Sequence, residues 1–443
     1  MKKVLVYGLG VSGISTVKTL VDMDYQVYTY DKNKKEIDQL KGYDYSPISD
    51  LKIMDIGYDF VVKSPGIKPS DDILIKLSEK YEIITDIELS YRLFPDKDFL
   101  AITGTNGKTS TTSMISHILN ENRIKAISVG NIGQGILWQM KTKDAVFVEE
   151  LSSFQLKNTS EYHPHIGAIL NISPDHIDWH GSYDDYINSK FNIAKNQDFN
   201  DYLILNHDDE ILSKNKDRFK ANIYEFSSKE KVDRGLYLEN DKIIFKEEDK
   251  LIEVIDVRDL KIIGKHNYEN LMAAILETYL FGLDFDKIAK ASKSFLSIEH
   301  RLEFVDEVAG VKIYNDSKGT NVDSSIKAIN SFSEPIIIIA GGYDKKIDYS
   351  EYVKAFKKNG KEMVILGETK ELLKDLCQKY AIKYKLVDDM DQAIRYAVSI
   401  AKSPDIILLS PASASWDMYD SYEKRGRDFK ERINKYKGNI KWE

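Results

Sequence analysis

The chain has 443 residues, of which 42% are hydrophobic and 30% are charged, and its formal net charge is −8. This length suggests about three domains of roughly 150 residues, each with enough apolar residues for a core. The acidic balance argues against a nucleic-acid-binding protein, which needs a basic surface. Cys377 is the only cysteine, which excludes an intrachain disulfide and a four-cysteine zinc site. No stretch approaches the roughly 20 apolar residues of a membrane span, so we predict a cytoplasmic protein.

A glycine-rich loop follows the first predicted strand, Val4 to Tyr7. Gly8, Gly10 and Gly13 form a GxGxxG pattern before a predicted helix, and Asp31 ends the second strand. This spacing is typical of dinucleotide binding and suggests an NAD-dependent oxidoreductase. Two alternatives stay open: the glycines only allow tight packing, or the loop binds another diphosphate, such as that of a nucleotide sugar.

A further loop, Ser64 to Gly66, follows the strand that begins at Asp59. It lies where a strand-to-helix loop could close over the same ligand. The polar break near Pro95 ends this first unit.

The strongest local signal is a second glycine loop, which follows the apolar run Phe99 to Thr103. Gly104, Thr105, Asn106 and Gly107 lead into Lys108 and Thr109, and a helical pattern begins after them. Free N–H groups and the helix dipole favour an anion at such a helix start. We expect Lys108 to reach the β- and γ-phosphates of a nucleotide and the Thr109 hydroxyl to contact Mg²⁺. The alternative, a glycine turn before a surface helix, explains less of this order of residues.

Acidic residues end the next strong strand, Ala145 to Leu151. Ligands of open parallel sheets collect at the carboxyl ends of strands. Glu150 is therefore placed to hold Mg²⁺ beside Thr109, whereas we interpret Glu149 as a solvated strand end.

A histidine-rich loop follows the strand Gly167 to Asn171. His176 suits a second metal ion beside a nucleotide, although a lone loop histidine is more often structural, and we interpret His180 as a surface residue. Lys190 lies in the predicted helix Tyr186 to Asn196, where most lysines are solvated.

Short strands with charged turns fill positions ~200 to 260, which indicates a β-rich excursion at the sheet edge. Asn267 and Asn270 then lie in the first turn of an apolar helix that continues from Leu271 to Leu280. They could cap this helix or contact a base.

A third unit begins near Ile298. Several of its predicted strands end in polar loops, which places arginine, lysine and hydroxyl groups at one sheet edge. Such groups suit a carboxylate or phosphate ligand. The polar residues concerned are Arg301, Asp316, Lys318, Thr320, Lys345 and the run Ser410 to Asp417.

Taken together, these segments resemble the Mur ligases, the ATP-dependent amino-acid ligases of peptidoglycan synthesis. The motifs are ITGTNGKT, NISPDH, KHNYENLMAA, EHRLE, NDSKGTN and SPASASWDMYDSYEKRGRDF. Within the family, GLGVSGIS, KSPGI and the C-terminal motif resemble the members that add D-glutamate. Folylpolyglutamate synthases share the ATP core but lack the N-terminal nucleotide-sugar domain, so Gly8 to Ser70 counts against them.

The resemblance implies an α/β protein with a Rossmann-like domain (1–95), a central P-loop ATPase-type domain (96–297) and a C-terminal Rossmann-like domain (298–443). It also implies a monomeric ligase that uses ATP and two Mg²⁺ ions. Its substrates would be UDP-N-acetylmuramoyl-L-alanine and D-glutamate, joined through an acyl phosphate, with no nucleic-acid partner. An oxidoreductase would leave the second loop unexplained, and a non-catalytic nucleotide-binding module would leave Glu150, His176 and Lys190 without a role.

Residue roles follow from motif position alone. The catalytic residues would be Lys108, His176 and Lys190. The metal ligands would be Thr109, Glu150, His176 and a carbamylated Lys190. ATP would contact Gly104, Thr105, Asn106, Gly107, Lys108, Thr109, Ser110, Asn267, Asn270, Arg301, Asp316 and Lys318. The other substrates would contact Gly8, Gly10, Ser12, Gly13, Asp31, Ser64, Gly66, Asn131, Thr320, Lys345, Ser415, Trp416 and Tyr422. Trp416 is bulky for its place in the family pattern.

Overall fold

The computed structural model describes residues 1–32, 38–50, 52–131 and 135–440. The strands among these residues form three sheets. The chain divides into two compact units, one comprising Met1–Leu260 and Glu269–Ser294, the other Lys261–Tyr268 and Phe295–Glu443. The α/β fold class is confirmed, while the domain boundaries after residues 95 and 297 stay predictions.

The first sheet is parallel and has the strand order β3-β2-β1-β4-β5. Its elements are β1 (Lys3–Tyr7), α1 (Val11–Asp22), β2 (Gln26–Tyr30), β3 (Ser46–Pro47), β4 (Phe60–Lys63), α2 (Asp72–Ser78), β5 (Ile83–Ile84) and α3 (Asp86–Leu93). After β1 the chain continues to β2 and β3 on one side of the sheet, whereas after β4 it continues to β5 on the other side. The loops after these two strands therefore flank the crevice in which open α/β sheets bind ligands.

The second sheet has the order β14-β13-β12-β11-β10-β9-β6-β8-β7. Its strands are β6 (Phe99–Thr103), β7 (Ala126–Gly130), β8 (Val146–Glu150), β9 (Ile166–Ile169), β10 (Tyr202–Asn206), β11 (Asn222–Ser227), β12 (Arg234–Glu239), β13 (Lys242–Glu247) and β14 (Lys250–Asp256). Strands β6 to β12 pair in parallel, whereas β13 and β14 pair antiparallel at the edge. The predicted β-rich excursion at the sheet edge is confirmed.

Helices cover this sheet and leave its central strands buried. They are α4 (Lys108–Glu121), α5 (Ile136–Gln139), α6 (Ser153–Leu156), α7 (Ile177–His180), α8 (Tyr183–Phe191), α9 (Glu210–Asn215), α10 (Lys265–Leu280) and α11 (Phe285–Ser294). Helix α8 starts earlier than expected because Ser182 caps it by accepting the N–H of Asp185. Helix α10 also starts earlier, within the second unit, and continues in the first.

The third sheet has the order β15-β16-β20-β17-β18-β19, with only the β15–β16 pair antiparallel among its described strands. Its elements are β15 (Glu303–Val308), β16 (Val311–Asn315), α12 (Val322–Ile329), β17 (Ile336–Ala340), α13 (Ser350–Phe356), β18 (Gly360–Ile365), α14 (Lys370–Lys379), β19 (Tyr384–Leu386), α15 (Met390–Ile400), β20 (Ile406–Leu409) and α16 (Tyr422–Tyr436). Two apolar clusters cover its two faces, as expected for central parallel strands. In the described part of the chain, no helix is long and apolar enough to cross a membrane.

One buried carboxyl group in α10 leads to a stability prediction. Glu277 is fully buried, and neither of its carboxyl oxygens has a hydrogen-bond partner among the described residues. Burial raises the pKa of Glu277 well above its usual range. The folded protein therefore binds the proton of this group more tightly than the unfolded chain does.

We expect Glu277→Leu to stabilise the protein by about 1–3 kcal/mol, because an unpaired buried polar group is removed. The gain should be larger at about pH 8 than at about pH 5, since ionisation favours the unfolded wild type as the pH rises above the ordinary pKa of glutamate. Urea unfolding of the variant and the wild type at both pH values measures this difference in the free energy of unfolding. The control is Glu121→Leu at the exposed end of α4. A pH-independent change in Glu277→Leu would contradict the prediction.

Candidate functional site

The first glycine loop is held by the ends of its neighbouring strands. The N–H of Leu9 donates to the Asp31 carboxylate (2.7 Å), and the Ser64 hydroxyl donates to the Gly8 carbonyl (2.8 Å). A Cβ atom on Gly13 would lie 1.9 Å from the Gly8 carbonyl oxygen, so only glycine allows this close approach. The structure thus brings together four of the predicted substrate-binding residues.

A cavity of about 460 Å³ opens beside this loop. Gly8 and Asp31 line it, together with Lys32 and Asp71. Asp71 accepts a hydrogen bond from the Tyr7 hydroxyl (2.7 Å) and forms an ion pair with Lys32 (2.5 Å). The sequence did not indicate Asp71, because its partners come from distant strands.

The second glycine loop connects β6 to α4 and is held by its own lysine and by the end of β9. Lys108 donates to the carbonyl oxygens of Gly104 (2.8 Å) and Thr105 (3.0 Å). The Asn171 side chain accepts from the Asn106 N–H (2.8 Å) and donates to the Asn106 carbonyl (2.9 Å). Asn171 was missed as a site residue, although it begins the NISPDH motif.

Gly107 makes the closest contact of this loop with α10. Its φ is +89°, and a Cβ atom there would lie 2.2 Å from the Asn270 amide oxygen. Asn270 therefore borders the phosphate loop, and its contact with ATP stays a prediction. Asn267 belongs to the second unit, where its amide donates to the Ile263 carbonyl (2.7 Å).

The loop ends in a helix start with hydroxyl side chains. Thr109 and Ser110 follow Lys108 in the first turn of α4, and Ser110 is buried. Thr109 is the predicted metal ligand of this turn.

Glu150 lies at the carboxyl end of β8, in register with Ile102 of β6. It is 2% exposed, and its Oε1 accepts from the Asn131 amide (3.1 Å). Its Oε2 has no hydrogen-bond partner among the described residues. A buried carboxylate oxygen without a partner fits a metal cation.

His176 occupies the loop after β9, the other neighbour of β6. Its ring is half exposed, lies 4.8 Å from the Phe154 ring and approaches the Asp175 carboxylate at 3.5 Å. Within the ranges that the structure describes, no group of three or more histidine, cysteine or acidic side chains converges on a metal position. Of the predicted metal ligands, only Glu150 and His176 are side chains of these types. The metal site therefore stays a prediction.

Two interpretations from the sequence are wrong. Glu149 is fully buried rather than solvated: it accepts a short hydrogen bond from the Tyr162 hydroxyl, and burial raises the pKa of Glu149 to about 8. His180 is not a surface residue, because its ring lies between the Asp185 carboxylate (2.7 Å) and the Ser153 hydroxyl (2.9 Å).

Lys190 is buried beneath the phosphate loop, so the default interpretation of a solvated helix lysine is also wrong. Its ammonium nitrogen is 2.7 Å from the Gly104 carbonyl and 4.8 Å from the centre of the Tyr186 ring. Burial, together with the charge of Lys108, lowers the pKa of Lys190 well below its usual range. A neutral amine at this position is a nucleophile.

In the second unit, Asp316 directly follows β16 and is 6% exposed. Its carboxyl accepts from the Ser410 hydroxyl (2.8 Å) and the Leu302 N–H (3.2 Å), and burial raises the pKa of Asp316 to about 7. The Nε of Arg301 is buried and has no hydrogen-bond partner in the described chain. The Lys318 ammonium lies 5.5 Å from the centre of the Tyr422 ring.

A second group of predicted residues in this unit surrounds Lys345. Its ammonium donates to the Thr320 carbonyl (3.2 Å) and lies 5.7 Å from the centre of the Trp416 ring. Trp416 is 66% exposed and contacts Tyr343, whereas Ser415 is buried. A cation beside an exposed aromatic wall suits a ligand with a carboxylate.

Arg425 holds loops of this unit together and was not selected from the sequence. It is buried and donates to the carbonyls of Ser317 (2.8 Å) and Ser413 (3.1 Å). Burial lowers the pKa of Arg425 to about 10. The RG pair in the C-terminal motif was the available signal.

Comparisons with known proteins identify similar families along most of the chain. The Mur ligase middle domain matches residues 102–277, and the Mur ligase, glutamate ligase domain matches residues 300–413. The UDP-N-acetylmuramoylalanine–D-glutamate ligase of Thermoanaerobacter sp. (strain X514) is 39% identical over 98% of both chains. The protein of that name from Clostridioides difficile (strain 630) is 41% identical over 98% of this chain and 99% of its own.

Solved structures share the fold at lower identity. UDP-N-acetylmuramate-alanine ligase MurC from Thermotoga maritima has a TM-score of 0.59 at 17% identity, with 98% of this chain and 100% of that chain covered. MurF ligase from Thermotoga maritima, in complex with ADP, has a TM-score of 0.57 at 16% identity, with 93% and 95% covered.

Gly107→Ala tests the geometry of the phosphate loop. We expect it to weaken ATP binding by at least about tenfold, because the left-handed backbone and the contact with Asn270 both exclude a side chain. Isothermal titration calorimetry with ATP and Mg²⁺ measures the affinity. Gly57→Ala is the matched control, since a Cβ atom there meets open space. Equal ATP affinity in the two variants would contradict the assignment of this loop.

Proposed function

The chain belongs to the Mur ligase family, and from this premise we propose that it joins D-glutamate to UDP-N-acetylmuramoylalanine with ATP. The identity of about 40% over nearly the whole length of relatives with that name carries the proposal. Both glycine loops then have a role, one for the UDP-linked substrate and one for ATP. A monomeric, cytoplasmic enzyme stays our prediction.

The ATP phosphates would bind at the start of α4. Support comes from the Gly104–Gly107 loop, which Lys108 and Asn171 hold in shape, and from the helix dipole. ADP in the complex of the related MurF ligase is consistent with this use of the fold. The adenosine and phosphates would also meet Asn270 in this unit, and Asn267, Arg301, Asp316 and Lys318 stay predicted contacts.

Two Mg²⁺ ions are part of the proposal. Thr109 and Glu150 would hold one of them, and His176 with a carbamylated Lys190 would hold the other. The partnerless Glu150 oxygen supports a cation at this sheet edge. When bound, the ions would neutralise phosphate charge during transfer.

The burial and the lowered pKa of Lys190 support its carbamylation. An amine reacts with CO₂ only when it is neutral, and the buried environment lowers the pKa of Lys190 in that direction. The nitrogen would form a bond to the carbon of CO₂ and release a proton, which leaves an anionic carbamate. This change would replace a cation by an anion next to Lys108 and would remove a like-charge repulsion.

The chemistry needs charge neutralisation and positioning rather than a protein nucleophile. The alanine carboxylate of the UDP-linked substrate would attack the γ-phosphate, and ADP would leave. The D-glutamate amine would then attack the acyl phosphate and lose a proton, and phosphate would leave. Lys108 would stabilise the transferred phosphate, while Lys345, Ser415, Trp416, Tyr422 and Thr320 would bind D-glutamate.

Phosphate release tests this function directly. We expect ATP-dependent release that requires both UDP-N-acetylmuramoyl-L-alanine and D-glutamate, and little release with L-lysine, diaminopimelate or L-alanine. A colorimetric phosphate assay with each amino acid measures it. Release that is independent of the amino acid, or greater with another one, would refute the proposal.

Lys190→Ala should abolish most of this activity, and added acetate should restore part of it by supplying a carboxylate in place of the carbamate. Phosphate release with and without acetate measures the rescue. Lys195→Ala, in the turn that follows α8, is the control, because we assign Lys195 no role in the site. Full activity of Lys190→Ala without acetate would remove Lys190 from the site.

A further inference from the structure

A buried carboxyl group connects the first glycine loop to the rest of its unit. Asp86 begins α3 and is 2% exposed. One of its oxygens accepts a short hydrogen bond from the Ser12 hydroxyl. The other accepts from the Ile87 N–H (3.0 Å) and the Gln155 amide (3.3 Å). Both oxygens of this buried acid are therefore used, as buried polar groups require.

Gln155 continues the connection to the end of β8. Its side-chain oxygen accepts from the N–H (3.2 Å) and the hydroxyl (3.1 Å) of Ser152. Ser152 accepts in return from the Gln155 N–H (3.3 Å), which completes a capping box at α6. Ser152 lies two residues after Glu150, the proposed metal ligand.

Helix α1 also contacts α5, through Ser15. The Trp138 N–H donates to the Ser15 hydroxyl (2.9 Å), and a Cβ atom on Gly135 would lie 2.2 Å from the Ser15 Cβ. Helix α1 thus contacts α5 closely on one side, while its first turn is bound to Asp86. This leaves its N-terminal turn little freedom to shift when a ligand binds.

We propose that Asp86 and Gln155 are positioning residues, which hold the first turn of α1 in a fixed relation to the carboxyl end of β8. This inference rests on the proposed function, in which α1 meets the diphosphate of the UDP-linked substrate and β8 carries a metal ligand. The Ser12 hydroxyl donates a hydrogen bond to the Asp86 carboxyl group. The turn therefore offers backbone N–H groups to the diphosphate, as helix N-termini do.

The geometry has a consequence for binding. The diphosphate is at one end of the substrate and the reacting carboxylate is at the other. A first turn that shifts relative to β8 would misplace the substrate without altering the ATP loop. Loss of the hydrogen bonds to Asp86 should therefore weaken the binding of the UDP-linked substrate but not the binding of ATP.

Asp86→Asn tests this consequence in the full-length protein. The asparagine amide nitrogen cannot accept a hydrogen bond. Either the Ser12 hydroxyl or the Gln155 amide therefore loses the oxygen to which it donates. We expect KM for the UDP-linked substrate to rise about tenfold, the size of effect that the loss of one buried hydrogen bond can have. The KM values for ATP and D-glutamate should change by less than about twofold.

Glu88→Gln is the matched control. Glu88 lies on the same helix, is fully buried, and accepts from the N–H groups of Ser160, Glu161 and Tyr162, away from the glycine loop. This variant should lose stability without changing KM for the UDP-linked substrate. The proposal would be overturned if Asp86→Asn and Glu88→Gln changed KM for the UDP-linked substrate equally. It would also be overturned if Asp86→Asn raised KM for ATP as much as KM for the UDP-linked substrate.

Gln155→Met removes the middle of the connection and keeps the side-chain volume. We expect a smaller rise of the same KM, and the double variant with Asp86→Asn should resemble Asp86→Asn alone, because the two residues act in one chain. Additive effects would show that Gln155 does not act through Asp86 and would overturn its part in the proposal.

Hydrogen exchange separates this inference from the proposed function. Without any substrate, Asp86→Asn should speed amide exchange in the peptides 11–22 and 152–157, and Glu88→Gln should leave both unchanged. If the wild type released no phosphate, the proposed function would fail, but faster exchange would still support the connection. Unchanged exchange in Asp86→Asn would overturn it.

Discussion

The position of β6 between β8 and β9 is the constraint on which the candidate nucleotide site depends. All three strands run parallel, so their carboxyl ends meet at one sheet edge. Register pairs Ile102 with Glu150 and Thr103 with Ile169. The phosphate loop therefore begins between the acidic end of one neighbour and the histidine loop of the other. Strand order therefore brings residues from distant parts of the sequence together at this loop.

Much of this arrangement could be predicted from the sequence because its signals are local. Apolar runs such as Ile336 to Ala340 predict buried strands, and a glycine turn between a strand and a helix start with lysine and hydroxyl residues predicts a phosphate loop. Glu150 was correctly placed at the end of its strand, and Asp316 directly follows its strand, as expected. Asn270 was predicted in the first turn of its helix but lies further inside, because α10 begins at Lys265. The family motifs then supplied roles that spacing alone left open, including the choice between NAD and a UDP-linked ligand for the first loop.

Burial of polar side chains could not be predicted, since it depends on elements that are distant in the sequence. Glu149 precedes Glu150 in a strand covered on both faces, so alternation gives no solvated side, and Tyr162 comes from a separate loop. His180 and Lys190 lie on short helices whose buried sides are set by Ser153 and Gly104. Asp86 is one of several acidic residues in its region, and only the fold brings Ser12 and Gln155 to it.

Two lysines share one backbone oxygen beneath the phosphate loop. Lys108 and Lys190 both donate to the Gly104 carbonyl, and two adjacent ammonium groups in a buried place repel each other. Lys190 is the more buried of the two, and burial together with the charge of Lys108 lowers the pKa of Lys190. Glu150 adds an unshared oxygen at the same sheet edge. In the proposed function, Lys108 would be the cation that meets the nucleotide, and Lys190 would be the amine that is converted to an anion. Together with the proposed metal ions, these two groups would supply the charge pattern that phosphoryl transfer requires.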